Sequence, residues 1–208
     1  RKLNPGFNNK NKNLREQRKM SFPVLPDGVP QRSFGILHPF TRWVMKRLGW
    51  KITGNFPDVP RLVVVVAPHT SNWDLLVGIA TLFALNLYGN WLGKHTIFRW
   101  PVKGLFLWLG GIPVDRTAAH GLVGGTVSAF AAREKLLLGV APEGTRSNGA
   151  KWKSGFYHIA KEAGVPIMPA YFDYHKKVIA LGPSLMPSGD MEADIKVLQS
   201  FCSLATQR

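Results

Sequence analysis

The sequence predicts a single α/β domain with a largely parallel sheet flanked by helices. From about residue 51 onward, apolar runs of strand length alternate with segments of helical periodicity, as in chains that build a parallel sheet. The clearest strand is Arg61–Ala67, because a continuous β-branched run is typical of a strand buried on both faces. The length of 208 residues and the hydrophobic content of 45% suit one domain with a core and exclude wholesale disorder. We therefore expect one domain over residues 52–208.

The other strands and helices of this domain are expected to follow one another with short connections. Strands are predicted at Asn90–Lys94, Ile112–Val114, Lys135–Ala141, Val165–Phe172 and Val178–Leu181. Helices are predicted at Trp73–Tyr88, Pro101–Leu109, Ala118–Arg133, Ser154–Ala163 and Asp190–Leu204. We expect Ser71 or Asn72 to cap the first of these helices and Gly164 to end the fourth. Prolines within residues 165–172 favour an irregular or edge strand there.

The first 33 residues predict a disordered basic tail. They are rich in Asn, Lys, Pro and Gly and show no apolar periodicity. Residues 1–19 hold seven basic residues against one acidic residue, in a chain whose net charge is +15. The first 33 residues show no apolar core of a secretory signal peptide, and Met20 is a candidate natural start. Such a basic chain is expected to bind polyanions.

Residues 34–51 predict an amphipathic helix that lies in the plane of a membrane. Phe40, Trp43 and Leu48 share one face, whereas Arg42 and Lys46 lie elsewhere on the wheel. The alternative is a helix packed on the core with solvated Lys and Arg side chains. The membrane interpretation implies an anionic membrane surface as partner and a peripheral location on the cytoplasmic face.

Several other classes of protein fit the sequence poorly. The longest uncharged segment, residues 75–93, is too polar for a typical membrane span. The lone Cys202 can form no internal disulfide and is expected to be a buried, unreactive cysteine. One His and one Asp without a nearby Cys make a poor metal ligand set, so no metal site is expected. No zinc pattern, recognition-helix motif or aromatic–glycine RNA signature supports specific nucleic-acid binding.

Chemistry-bearing residues follow the predicted strands. His69 comes directly after strand 61–67, and Asp74 follows five residues later across a strand-to-helix turn. A carboxylate on one imidazole nitrogen fixes the tautomer and raises the basicity of the other nitrogen, which a general base for a hydroxyl needs. The alternative is an incidental His and an Asp that only caps the helix.

Two further clusters add positive charge at strand ends. Arg116 follows the predicted strand 112–114, and the run Glu143-Gly144-Thr145-Arg146 follows strand 135–141. Guanidinium groups suit bidentate binding of phosphate, and the glycine allows close approach of the backbone to a ligand. These clusters are consistent with a site for a phosphorylated acceptor. For Arg116, an ion pair with Asp115 is the structural alternative.

In this order, the clusters resemble the four blocks of the glycerolipid acyltransferase family, the PlsC-like lysophospholipid acyltransferases. His69 and Asp74 match the H-x4-D block, and the glycine pair at 110–111 through Arg116 matches the second block. The third and fourth blocks are matched by residues 143–146 and by the proline-containing run at 165–170. The resemblance covers residues 35 to 185, and it includes the stretch from Lys94 to Gly104.

The resemblance implies transfer of a fatty acyl group from acyl-CoA or acyl carrier protein to a lysophospholipid hydroxyl, with 1-acylglycerol-3-phosphate as the leading acceptor. It implies that His69 deprotonates the hydroxyl, that Asp74 orients His69, and that no acyl-enzyme forms. The implied acceptor site comprises Arg116, Glu143, Gly144, Thr145 and Arg146. The implied acyl-donor pocket comprises Val165, Pro166 and Ile167. No bound cofactor is implied. A lyso-aminolipid acceptor and a thioester hydrolase remain alternatives, and a catalytically silent membrane-binding module is a further one.

Overall fold

A seven-stranded sheet forms the centre of the computed structural model, which describes residues 22–68, 71–114, 121–143 and 151–205. The strands are β1 (Lys51–Thr53), β2 (Arg61–Val66), β3 (Gly89–Lys94), β4 (Gly111–Val114), β5 (Leu136–Val140), β6 (Ile167–Asp173) and β7 (Val178–Leu181). Their order across the sheet is β1-β7-β6-β2-β5-β3-β4. Neighbouring strands are parallel except β6 and β7, which are antiparallel. The α/β class with a largely parallel sheet is therefore confirmed.

The expected helices are present, with ends shifted by a few residues. They are α1 (Leu37–Arg47), α2 (Asn72–Leu85), α3 (Lys103–Trp108), α4 (Gly121–Ala131), α5 (Gly155–Ala163) and α6 (Met191–Cys202). Ser71 caps α2, since its hydroxyl accepts the N–H of Trp73 at 3.1 Å. Gly164 ends α5 in the left-handed conformation at φ +63°. None of the helices in the described part of the chain is long and apolar enough to cross a membrane.

Successive side chains of β2 point into two separate apolar clusters, one on each face of the sheet. Leu62 and Val64 pack in a cluster with Met45 of α1 and Leu85 of α2. Val63 and Val65 pack in a second cluster, which includes Phe130 of α4 and Ile159 of α5. This alternation is the ordinary period of a strand, and it explains why β2 is apolar at consecutive positions.

The expectation of an edge strand at residues 165–172 is wrong, because β6 lies between β7 and β2. The carbonyl of Pro169 accepts the N–H of Gly182 at 2.8 Å. Because the nitrogen and the carbonyl of one residue in a strand point to the same neighbour, the nitrogen of Pro169 also faces the β7 side. That position is the last step of the β6–β7 ladder, beyond Leu181. The missing amide hydrogen thus affects only the end of that ladder, while the other side of β6 pairs with β2.

Residues 22–33 pack against the domain, so the predicted disordered tail is too long. Phe22 and Val29 are buried within the first apolar cluster. The carbonyl of Pro30 accepts the N–H of Tyr88 at 2.9 Å, which ties this segment to the start of β3. Buried apolar side chains and hydrogen bonds to the domain thus hold a segment whose overall composition is polar. The rest of the predicted tail lies outside the described residues.

The N-terminal helix is shorter than the predicted range of 34–51. The α1 helix ends at Arg47, and Gly49 then takes a φ of +83° that reverses the chain before β1 begins at Lys51. Only Met45 of α1 is buried, so most of the helix surface faces outward.

Candidate active site

The carboxyl ends of β2 and β5, which precede the first and third sequence clusters in the chain, lie side by side. These strands are parallel neighbours, with Val65 paired to Val140, so the segments that follow them leave the same edge about 4.8 Å apart. Asp74 lies in the first turn of α2 after β2, and Glu143 follows β5. In open α/β sheets, ligands bind at this carboxyl edge. His69 and residues 144–146 lie outside the described residues.

The carboxylate of Asp74 is 3% exposed, and within the described residues it accepts hydrogen bonds from two different parts of the chain. Its Oδ2 accepts the N–H of Ser71 at 2.9 Å, which completes a capping box at the start of α2. Its Oδ1 accepts the hydroxyl of Tyr174 at 2.5 Å. Oδ2 of Asp74 therefore caps the helix, as the alternative interpretation of the sequence predicts. The orienting role toward His69 stays a prediction, and the cap does not exclude it.

Tyr174 is a site residue that the sequence analysis missed. It directly follows β6, and β6 is the other neighbour of β2, so Tyr174 reaches the edge that carries Asp74. Its ring packs edge-on against Trp50, with the ring centroids 5.5 Å apart. Burial, together with the hydrogen bond to Asp74, raises the pKa of Tyr174 above its ordinary value. The phenol therefore stays protonated at neutral pH and acts as a donor.

Glu143 is also buried at this edge, with 6% of its surface exposed. Cys202, the last residue of α6, lies close by, and its thiol donates to the carbonyl of Ala170 at 3.8 Å. Burial raises the pKa of the Cys202 thiol to about 12, and the negative charge of Glu143 contributes to the shift. The prediction of a buried cysteine at position 202 is confirmed.

The second sequence cluster follows a more distant strand. The end of β4 is separated from the end of β2 by β5 and β3, a distance of about 14 Å at the usual strand spacing. Arg116 itself lies outside the described residues. Gly110, at φ +83°, has a packing role of its own, because a Cβ there would overlap the carbonyl oxygen of Gly89 in β3.

The structure does not bring Val165, Pro166 and Ile167 to the carboxyl edge. Ile167 is the first residue of β6 and pairs with Val63 near the start of β2. Val165 and Ile167 are buried in the second apolar cluster, and Pro166 is half-buried. Their role in an acyl-donor pocket stays a prediction.

A cavity of about 320 Å³ opens beside the carboxyl edge, on the face of the sheet covered by α4 and α5. Its described lining is mainly apolar, and one cationic residue, Lys153, contributes to it. The lining residues are Trp91, Leu92, Leu122, Gly139, Val140, Ala141, Pro142, Lys153, Gly155, Phe156 and Ile159. Residues 140–142 belong to this lining and directly precede Glu143 in the chain. A concave apolar site with few polar groups is typical of ligand pockets.

Large apolar side chains are exposed on α1 and on the first turns of α2. Phe40 and Trp43 of α1 are 58% and 62% exposed, and their rings stack with centroids 6.4 Å apart. Trp73, Leu75 and Leu76, in the first turns of α2, are also exposed and flank Asp74 in sequence. We call these five residues the apolar surface. The α1 and α2 helices pack against each other, and such an exposed group of aromatic side chains is typical of an interaction site.

The chain is similar to known proteins over most of its length. A family model described as Acyltransferase matches residues 52–173. The 1-acyl-sn-glycerol-3-phosphate acyltransferase of Haemophilus influenzae is 26% identical over 200 residues, covering 84% of this chain and 78% of that protein. The protein of the same name from Escherichia coli is 33% identical over 113 residues, which is 51% of this chain and 44% of that protein.

A solved structure supports the fold. The crystal structure of the 1-acyl-sn-glycerophosphate (LPA) acyltransferase PlsC from Thermotoga maritima superposes with a TM-score of 0.57 at 16% identity. The superposition covers 83% of this chain and 79% of that chain. By contrast, the alignment with the Escherichia coli protein spans less than half of that relative.

Proposed function

We propose that this chain, which belongs to the acyltransferase family, transfers a fatty acyl group from a thioester to the hydroxyl of 1-acylglycerol-3-phosphate. The family model matches residues 52–173. The relatives that align with 84% and with 51% of this chain are both named 1-acyl-sn-glycerol-3-phosphate acyltransferase. The observation that carries the proposal is Asp74, a buried carboxylate fixed at the carboxyl edge of β2, five residues after His69.

His69 acts as the general base in this reaction. It takes the proton of the acceptor hydroxyl as the oxygen attacks the thioester carbonyl. The new C–O ester bond forms, the C–S bond breaks, and the departing thiolate takes up the proton from His69. Asp74 accepts the other ring N–H of His69 and stabilises the imidazolium that forms. No acyl-enzyme intermediate is needed.

The acceptor head group binds between the ends of β5 and β4. Glu143 is buried beside the end of β2, where the acceptor hydroxyl must meet His69. Arg146 follows it in the chain, and Arg116 follows β4. The cations of these two arginines would bind a phosphate monoester, and Gly144 and Thr145 would offer backbone and hydroxyl groups. This arrangement favours a phosphorylated acceptor over a lyso-aminolipid.

The acyl chain of the donor occupies the cavity between the sheet, α4 and α5. Its volume of about 320 Å³ and its apolar lining suit a hydrocarbon chain. Val165 and Ile167, by contrast, are already packed in the second apolar cluster. Because the lining includes residues 140–142 at the carboxyl end of β5, the thioester carbonyl would lie at that edge, next to the residues that follow β2. Either acyl-CoA or acyl carrier protein can present such a chain.

The enzyme works as a peripheral protein at the cytoplasmic face of an anionic membrane. The apolar surface supports this location, because aromatic side chains insert into the headgroup boundary. The net charge of +15 would add attraction to anionic lipid. Both α1 and the start of α2 contribute exposed apolar side chains, so the membrane would lie close to Asp74.

The test is an acyl-transfer assay with the purified chain and a panel of acceptors. Radiolabelled acyl-CoA, and then acyl carrier protein, would be offered with 1-acylglycerol-3-phosphate, lysophosphatidylcholine, monoacylglycerol and a lyso-aminolipid in mixed micelles. We expect a labelled diacyl product, formed fastest from 1-acylglycerol-3-phosphate. Free fatty acid as the main product with every acceptor would contradict acyl transfer and favour a thioester hydrolase.

A further inference from the structure

We propose that Tyr174 is a positioning residue for acyl transfer, because its hydroxyl fixes the orientation of the Asp74 carboxylate. The inference rests on the proposed function, in which Asp74 orients His69. Tyr174 acts through Asp74.

The Asp74 carboxylate has a rotational freedom that its hydrogen bonds must restrict. The terminal torsion of an Asp side chain is broad, so the rotamer alone does not fix the plane of its oxygens. The bond from Ser71 holds Oδ2 at 2.9 Å, and it comes from the same turn of chain as Asp74. The bond from Tyr174 holds Oδ1 at 2.5 Å. With both oxygens held from different directions, rotation of the carboxylate would break one of the two bonds.

Tyr174 is itself held in place by its surroundings. It begins the turn between β6 and β7, and the N–H of Lys176 donates to Oδ1 of Asp173 across this turn at 2.8 Å. The Nζ of Lys177 donates to the carbonyl of Leu48 at 2.8 Å, which ties the turn to the segment after α1. The ring of Trp50 then packs edge-on against Tyr174. The phenol is therefore held at its backbone and at its ring.

The bond between Tyr174 and Asp74 joins a phenol to a carboxylate. A phenol that donates to a carboxylate forms a charge-assisted hydrogen bond, which is shorter and stronger than a neutral one. Although the Tyr174 residue is 40% exposed, its hydroxyl end meets a carboxylate that is 3% exposed. Loss of the hydroxyl would therefore loosen a buried charged group and leave the surface of the turn almost unchanged.

The test is Tyr174→Phe, which removes the hydroxyl and keeps the ring against Trp50. Tyr171→Phe is the matched control, because Tyr171 lies on the same strand and its ring packs on Phe201. We expect Tyr174→Phe to lower kcat about tenfold, which is less than the ~10²–10⁴ that a general base contributes. The KM for the acceptor and the thioester should stay within about twofold. The melting temperature should fall by several degrees relative to Tyr171→Phe, because a hydrogen bond to a charged group is lost, while the protein stays folded at the assay temperature.

A double-mutant cycle with Asp74→Asn distinguishes positioning from a purely structural role. In the Asp74→Asn background, which lacks the carboxylate, Tyr174→Phe should lower the single-turnover rate of acyl transfer only slightly further. An equal cost in both backgrounds, or a kcat loss that disappears when the rate is expressed per folded molecule, would overturn the inference. Full kcat in Tyr174→Phe alongside inactive His69→Ala would overturn it and leave the proposed function standing. Wild-type transfer in His69→Ala and Asp74→Asn would instead overturn the proposed function.

Discussion

The hydroxyl of Tyr174 donates to the carboxylate of Asp74 at 2.5 Å, although the two residues are 100 positions apart in sequence. The bond connects the first turn of α2 to the turn between β6 and β7. Because Trp50 packs on the same phenol, the segment after α1 also contacts this connection. The outward-facing N-terminal helix and the candidate catalytic carboxylate are thus linked by a short series of direct contacts.

Gly155→Leu should shorten the acyl chains that the enzyme prefers. Gly155 lines the cavity, and a Cβ at this position would meet nothing within 4 Å, so the added side chain has room to occupy the cavity. The measurement is kcat/KM for saturated donors of increasing chain length. Gly155→Ala is the control, since it adds one carbon and should leave the profile nearly unchanged. An identical chain-length profile for Gly155→Leu and the wild type would argue against an acyl chain in this cavity.

Arg116→Ala should mainly weaken the use of a phosphorylated acceptor. A hydrogen bond to a charged group contributes about 1.5–3 kcal/mol, so kcat/KM for 1-acylglycerol-3-phosphate should fall about tenfold to a hundredfold. For monoacylglycerol, which lacks the phosphate, the change should be small. Arg133→Ala, at an exposed position after α4, is the matched control. Equal losses with both acceptors would reject a head-group role for Arg116.

Replacement of Phe40 and Trp43 by Ser should weaken binding to anionic vesicles. A large apolar side chain contributes roughly 1.5–3 kcal/mol when it is fully buried, so we expect at least about tenfold weaker binding. The measurement is co-sedimentation with vesicles of phosphatidylglycerol and phosphatidylcholine at low and high salt. Val197→Ser, which changes an exposed apolar residue on α6, is the control and should bind normally. Unchanged binding of the double variant would exclude α1 as a membrane contact.

The thiol of Cys202 should resist alkylation in the native protein at pH 8.5. Its pKa of about 12 keeps the thiol protonated, and burial blocks access of the reagent. Since the sequence holds one cysteine, the readout by mass spectrometry is unambiguous. The unfolded protein in urea should react quickly at the same pH. Rapid alkylation of the folded protein would contradict the buried position.

The raised pKa of Cys202 also has a consequence for stability. Above the ordinary thiol pKa of 9.0, the unfolded chain loses this proton while the native protein keeps it. The unfolded state then binds fewer protons, so the free energy of unfolding falls as pH rises from about 9 to 12. Cys202→Ala should show a smaller fall over this range in urea denaturation. An identical pH dependence in both proteins would contradict the shift.

Much of the fold follows from sequence pattern alone. The β-branched run at Arg61–Val66, the cap at Ser71 and the left-handed Gly164 each have a local physical cause that the sequence displays. The central position of β6 does not, because a proline normally disfavours an interior strand. Only the order of strands reveals that Pro169 meets the last step of the β6–β7 ladder.

The candidate site was predictable where its residues are close in sequence. Asp74 lies five residues after His69, so its position could be anticipated from the turn after β2. Tyr174 could not be found in this way, because its contact depends on which strands become neighbours of β2. Phe22 was missed for a related reason, since its burial results from long-range packing on α1 and not from any local periodicity.

The most direct test of acyl transfer by general-base catalysis is the turnover of His69→Ala with radiolabelled acyl-CoA and 1-acylglycerol-3-phosphate. His158→Ala is the matched control, because His158 is an exposed histidine of α5. We predict that His69→Ala forms the diacyl product at least about a hundredfold more slowly than the wild type, while its circular dichroism and melting temperature stay unchanged. His158→Ala should keep the wild-type rate. Diacyl product formed by His69→Ala at the wild-type rate would contradict the mechanism.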